Sequence, residues 1–398
     1  MLVNATEEFD AVVVGAGPAG LIAATRLADL GKTVAVFEEH KEIGIPNHCT
    51  GLLSASGLKQ IGVVPDKRFV QSEVKGAHFH SPTRLTFTIK AQEVKAYVVD
   101  RSNFDKILGT RAIQGGVEIR LNSRIKGLKL NRDEGTYIAE TNGRNVRTKV
   151  VIDAEGYASR LLKQAGLKPP DPKWMLPALQ FEIVNLNVDS TMVELFFGRD
   201  IAPGFFAWIV PTGSDSARVG LACRGGNQYQ RLKQFVDKTL GKVEVNQIRP
   251  GCVILGGPIS RTFKDGFLVV GDAAGQVKPT TGGGVITGAI CAKVAGETAA
   301  KAIEQSDTSE KTLKEYEVSW RELLGKEFST MSLARKLADR LSDKTIDKIF
   351  QIIIEEELYQ VIELEGDMDF QSGIIKAAIQ HPKVLKALTS VASDLLFG

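Results

Sequence analysis

The sequence predicts an α/β fold, α+β overall. It has a Rossmann-like parallel sheet, an inserted antiparallel sheet and a C-terminal helical region. Three observations lead there. The opening "FDAVVVGAGPAGLIAATRLADLGKTVAVFEEH" reads as strand, glycine turn, helix and strand. Two later apolar runs, in "VVIDAEG" and "DGFLVVGDAAG", end in turns of acid and glycine and lead into further helices. Between them stand shorter runs of alternating bulky residues, such as "PGFFAWIVP", and the chain becomes helical and highly charged from about residue 306.

The first element, "AVVV", is a continuous apolar run, as in a strand buried on both faces. "LIAATRLADLG" has helical apolar spacing and stops at Gly31. Gly15, Gly17 and Gly20 stand in G-x-G-x-x-G spacing in the turn between them. Gly15 permits the sharp turn, Gly17 lets a pyrophosphate approach the backbone, and Gly20 lets helix pack on strand. With Ala19 they form the expected cofactor loop. Glu38 ends the second strand, placed to accept hydrogen bonds from a ribose 2′-hydroxyl. These residues specify a dinucleotide site and leave open whether the dinucleotide is FAD or NAD.

Further along, "VVDRSNFDKILGTRA" runs from strand to helix with Arg101 at the junction. "VVIDAEGYASRLLKQAG" is a strand, then Glu155, Gly156 and Ser159, then a helix. "DGFLVVGDAAG" sets Asp272 at the carboxyl end of a strand, where open parallel sheets bind ligands. Gly282, Gly283 and Gly284 open a small-residue helix whose free N–H groups favour negative charge. Taken alone, Asp272 also reads as a helix-capping acid.

This set resembles the FAD-dependent family that includes para-hydroxybenzoate hydroxylase and the geranylgeranyl reductases. The resemblance implies FAD as cofactor, Asp272 on a ribityl hydroxyl, and Arg101 near the pyrophosphate or ribityl chain. It also implies that Pro279 and Gly282 to Gly284 lie along the isoalloxazine ring. The middle motif departs from the family, with Glu155-Gly156 where Asp-Gly is usual. No second G-x-G-x-x-G follows a strand, so the electron donor, NAD(P)H or a ferredoxin-like carrier, is expected to dock transiently.

Geranylgeranyl reductases carry a P-x-x-Y-x-W-x-F-P pattern. Here it stands as Pro203, Phe206, Trp208, Val210 and Pro211, with Phe206 replacing the tyrosine and Val210 the phenylalanine. "HKEIGIPNHCTGLL" is similar to the family segment that sets a cysteine beside the flavin, here Cys49 with His48 before it. The resemblance covers nearly the whole chain and is nearest to archaeal enzymes that saturate membrane-lipid precursors. It implies reduction of isoprenoid C=C bonds, with a polyprenyl lipid as substrate. Side-chain alternation puts Phe206 and Trp208 on one strand face, suited to a prenyl chain or to a plain core. Cys49 reads either as a proton donor or as a small packing residue, and His48 as an acid or a loop residue. The rival readings are a flavin monooxygenase and a non-enzymatic lipid-binding or electron-relay flavoprotein.

The expected division gives residues 1–75, 96–174 and 253–305 to the FAD-binding domain, 76–95 and 175–252 to the substrate sheet, and 306–398 to the helical region. A chain of 398 residues, 43% hydrophobic and 24% charged, has the length for two or three packed units. Its formal charge of +3 gives no argument for nucleic acid. The apolar stretches fall short of the ~20 residues of a membrane span. The N-terminus lacks the pattern of a cleaved signal, so a cytoplasmic protein is expected. Lys326, Arg335, Lys336, Arg340, Lys344 and Lys348 form a basic stretch, read as a solvated helical cap or as a contact for anionic lipid or substrate phosphate. Cys49, Cys223, Cys252 and Cys291 include no C-x-x-C pair, and His78 and His80 lack a third partner, so no metal is expected.

Overall fold

The computed structural model describes residues 7–143 and 145–388. They fall into two compact units: Met1–Asn47, Arg101–Trp174 and Gly256–Phe328 in one, His48–Asp100, Met175–Leu255 and Ser329–Gly398 in the other.

The first unit holds the parallel sheet. Strand Glu7–Val14 pairs in parallel with Val34–Phe37 on one side and Val146–Asp153 on the other. Glu118–Arg120 and Phe267–Val269 extend it outward, also in parallel. Val12, Val13, Val150, Val151 and Ile152 are all fully buried, which explains why these strands read as unbroken apolar runs. The helix Pro18–Asp29 packs on the helix Val285–Glu304. The small residues of the second helix allow this close approach: a Cβ on Gly296 would sit 2.9 Å from the Ala23 carbonyl oxygen.

The second unit holds a seven-stranded sheet in the order Glu244–Ile254, Met175–Val184, Ser216–Ala222, Phe206–Pro211, Met192–Phe197, Gly76–His80, Thr86–Lys90. All neighbours are antiparallel except Met192–Phe197 with Gly76–His80. The helix Gln228–Thr239 buries Leu232, Phe235 and Val236 against Phe181, Ile209, Val219 and Leu221. By alternation Gln180, Trp208, Arg218 and Gly220 lie on the opposite sheet face.

The expected division differs from this one in four places, the smallest being residues 253–255, which group with the second unit. Residues 48–75 and 96–100 group with the second unit, because Leu52–Ser54 and Val70–Val74 both pair with Ala96–Val99 in a three-stranded sheet. Residues 306–328 join the first unit and 329–398 the second, rather than forming a separate region. The basic stretch also loses a member: Arg335 is buried and ion-paired to Asp339. Among the described residues no helix is long and apolar enough to cross a membrane.

Candidate active site

The glycine turn is built as its spacing requires. Gly15 has φ +103°, and a Cβ there would lie 2.4 Å from the Ala154 carbonyl oxygen. A Cβ on Gly20 would lie 2.0 Å from the Gly15 carbonyl oxygen. At Gly17 an added Cβ would meet nothing within 4 Å, so this side of the loop is open to a ligand. Gly17 caps the helix Pro18–Asp29 without a side-chain hydrogen bond, which leaves the first-turn N–H groups to an anion. Ala19 is spaced against Gly271, its Cβ 3.0 Å from where a Gly271 Cβ would stand. Glu38 is already partly engaged: Ala16 N donates to its Oε2 at 2.8 Å, and His40 N donates to its Oε1 at 3.0 Å. The carboxylate thus shapes the loop as well as offering lone pairs to a ribose.

Asp272 follows the strand Phe267–Val269 in a 3₁₀ turn, Gly271–Ala274. Burial pushes its carboxyl above the usual range, with Arg101 pulling the other way. Its carboxylate accepts no hydrogen bond from a described residue. It faces the glycine-rich start of the helix Val285–Glu304: a Cβ on Gly284 would come within 2.7 Å of Oδ1. Gly282 has φ +70°, and Gly284 caps that helix with no side-chain bond. A half-buried carboxylate lacking donors, beside open helix N–H groups, fits a polyol chain bearing phosphate. Arg101 makes a two-pronged ion pair with Asp105, at 3.0 Å from both Nε and Nη2. That pair holds the guanidinium on its own helix.

Sequence reasoning missed Asp153. It closes the strand Val146–Asp153 at 0% exposure, and its carboxyl is pushed up to about 7 by burial and by the neighbouring charge of Glu155. Ser159 Oγ donates to it at 2.7 Å and Glu155 N at 3.0 Å. The signal was present, since an acid ends an otherwise apolar buried strand. Glu155, expected at the family's Asp-Gly position, accepts from Arg160 N at 2.9 Å and Leu161 N at 3.0 Å. It therefore caps the short helix Leu161–Gln164, which a longer acid reaches from outside the turn.

In the second unit Phe206 and Trp208 share a face, their ring centroids 6.2 Å apart. Across the sheet Phe197 stands opposite Phe206, and Leu195 opposite Trp208. Trp208 lies over Gly220, where a Cβ would be 2.5 Å from the indole. The indole Nε1 donates to Gln180 Oε1 at 3.3 Å, and Thr50 Oγ1 donates to the same oxygen at 2.9 Å. The loop carrying His48 and Cys49 is tied to this sheet. Arg218 Nη1 donates to Thr50 O at 2.7 Å, and His48 Nδ1 donates to Pro250 O at 2.7 Å. The carbonyl can only accept, so His48 keeps its proton on Nδ1 when neutral. Cys49 Sγ accepts from Gly51 N at 3.3 Å, and all four cysteines are thiols. Sequence reasoning did not single out Gln180 or Arg218, because neither lies in a motif. His78 and His80 are bonded to Thr88 and Thr86 across the strand pair, and His80 also to Glu194.

A family model described as FAD binding domain matches residues 8–322. The chain is 34% identical to digeranylgeranylglycerophospholipid reductase 2 of Methanopyrus kandleri, over 95% of this chain and 98% of that one. It is 34% identical to digeranylgeranylglycerophospholipid reductase of Methanocaldococcus jannaschii, over 95% and 97%. The chain belongs to the digeranylgeranylglycerophospholipid reductase family. A solved geranylgeranyl bacteriochlorophyll reductase-like protein from Thermoplasma acidophilum superposes on this family member with a TM-score of 0.86 at 28% identity, over 97% of this chain and 100% of that one. A p-nitrophenol 4-monooxygenase from Pseudomonas putida shares the fold at TM-score 0.69 and 19% identity, over 95% and 99%. FAD is the family's cofactor, and the open loop at Gly17 and the donor-less Asp272 carboxylate fit it.

Proposed function

We propose that this chain is an FAD-dependent oxidoreductase that saturates C=C bonds of geranylgeranyl chains carried on glycerophospholipid precursors. The observation that carries the reading is the aromatic sheet face of Phe197, Phe206 and Trp208, in a chain that also holds a full dinucleotide loop. A polyprenyl chain offers only apolar surface, and this face presents aromatic and aliphatic carbon to it. A phenol-binding monooxygenase calls for polar groups free to meet its substrate at that wall. There Arg218 is engaged with Thr50 and Glu182, and Gln180 Oε1 with Trp208 and Thr50, which leaves the buried Gln180 Nε2 as the polar atom without a partner among the described residues.

FAD, when bound and reduced, supplies hydride to one alkene carbon. The chain's residues do the rest. Gly15, Gly17, Ala19, Gly20 and Glu38 would bind the adenosine diphosphate half and Asp272 the ribityl chain. Gly283 and Gly284 would offer backbone N–H groups to the flavin, while the N–H of Gly282 is held by the Lys278 carbonyl at 2.8 Å. Arg101 steadies the charge of Asp272. Phe206 and Trp208 hold the prenyl chain and exclude water, which an unactivated alkene requires. Cys49 carries the proton to the second carbon, with His48 Nε2, when the ring is doubly protonated, as the alternative donor. The electron donor is a transiently bound NAD(P)H or ferredoxin-like carrier, and substrate enters from the cytoplasmic membrane face.

The test is mass spectrometry after anaerobic incubation of the reduced protein with geranylgeranyl glycerophospholipid. A gain of two hydrogens per reduced bond supports the reading. A gain of one oxygen when air is admitted makes it a monooxygenase, and an unchanged lipid makes it a binding or relay protein.

A further inference from the structure

The turn that delivers Asp272 is held by side chains from elsewhere in the first unit. Gly271 has φ +66° and Gly275 φ +65°, so the turn is bracketed by two left-handed glycines. Such a segment has wide backbone freedom unless it is tied down. The backbone carbonyl of Asp272 accepts from Gly275 N at 3.0 Å, but its carboxylate gains no hydrogen bond there, and an unpartnered carboxylate favours rotating out to water.

Gln276 and Tyr316 are both 0% exposed. Gly271 N donates to Gln276 Oε1 at 2.9 Å, Gln276 Nε2 donates to Tyr316 OH at 2.8 Å, and Tyr316 OH donates to Val269 O at 2.7 Å. The polarity of this chain is fixed. A backbone N–H can only donate, so it must meet the amide oxygen, and a carbonyl can only accept, so it takes the phenol proton. The two ends of the chain are the backbone groups just before Asp272. Thr287 Oγ1 adds a bond to Gln276 O at 2.7 Å from the helix that Asp272 faces. Tyr316 belongs to the helix Glu310–Ala338. One turn on, Trp320 Nε1 donates to Thr262 Oγ1 at 3.0 Å; Thr262 O in turn accepts from Val269 N at 2.9 Å, so this bond holds the strand Phe267–Val269 without touching the Gly271–Gly275 turn.

We propose that Tyr316 and Gln276 are positioning residues for the flavin site: they clamp the Gly271–Gly275 turn so that Asp272 stays inward and unpartnered, ready for the ribityl chain. The inference rests on the FAD reading. It makes the helix Glu310–Ala338 a determinant of flavin affinity, although no part of that helix carries a nucleotide-binding motif.

The test uses the full chain stripped of FAD. FAD dissociation constants and the melting temperature of the FAD-free protein are measured for wild type, Tyr316→Phe, Trp320→Phe, Asp272→Asn and the Tyr316→Phe/Asp272→Asn double variant. Tyr316→Phe is expected to weaken FAD binding about tenfold, the equivalent of one ordinary hydrogen bond. Trp320→Phe is expected to lower the melting temperature while changing FAD affinity less than twofold. In the Asp272→Asn background, Tyr316→Phe is expected to add little further loss, because it acts through Asp272. Independent, additive losses in the double variant overturn the clamp, as does Tyr316→Phe binding FAD like wild type. If Tyr316→Phe does not fold, Gln276→Met, which breaks the chain at its other member, carries the same expectations. A wild-type protein that takes up no FAD would instead refute the cofactor assignment.

Discussion

Asp153→Asn should change how the stability of this protein depends on pH. Asp153 is fully buried, and its carboxyl is pushed from 3.8 up to about 7 by burial and then by Glu155. The folded state therefore keeps a proton across a range where the unfolded chain has lost it. Stability from this group is fully present below pH 3.8 and is lost as pH rises through 7. About three pKa units at ~1.36 kcal/mol each set an upper bound of about 4 kcal/mol. Glu155 shifts in the same direction, chiefly from burial, with Arg124 lowering it and Glu39 raising it, so it does not offset the effect. Asparagine keeps the shape and the acceptor for Glu155 N, and Ser159 Oγ can turn its proton to Glu155 Oε2, 3.2 Å away. Thermal melts of FAD-free wild type and variant, run from pH 5 to 8.5, should diverge with rising pH. The variant should become the more stable by several degrees, given ~2–4 °C per kcal/mol in a unit of this size. A melting difference that stays flat over that range would mean Asp153 is already ionised, and the buried-acid argument fails.

Asp272→Asn removes a charge-assisted acceptor and should weaken FAD retention by about 1.5–3 kcal/mol, read as flavin released on gel filtration; undiminished flavin content counts against its contact with the ribityl chain. Trp208→Phe keeps a ring over Gly220 but loses the bond to Gln180. It should slow reduction of long prenyl chains with flavin absorbance intact, and a loss of melting temperature that accounts for all the lost activity would make Trp208 plain core. Cys49→Ala should still take electrons from dithionite yet reoxidise far more slowly with alkene in anaerobic single turnover; an unchanged rate removes Cys49 as the proton donor.

The sequence by itself determined the parts whose chemistry is local. A glycine is dictated by the backbone it must form, so Gly15 and Gly20 were legible as a tight turn and a close packing point before any coordinates. The same holds for the apolar strands Glu7–Val14 and Val146–Asp153, whose burial on both faces shows as an unbroken run. Family motifs marked Asp272, Phe206 and Trp208, and for the last two strand alternation gave the shared face. The tertiary structure decided what depends on partners distant in the chain. Asp153 and Glu155 exchanged importance, because burial and a neighbouring charge, not residue type, set which acid holds a proton. Arg335 left the basic stretch because its helix turns it inward to Asp339. The segment 48–75 changed units because its strands found their partner at Ala96–Val99, a pairing that no local pattern encodes. Gln180, Arg218, Gln276 and Tyr316 were invisible for the same reason. Each gains its role from hydrogen bonds that only folding brings within 3.3 Å, across separations of 5 to 168 residues.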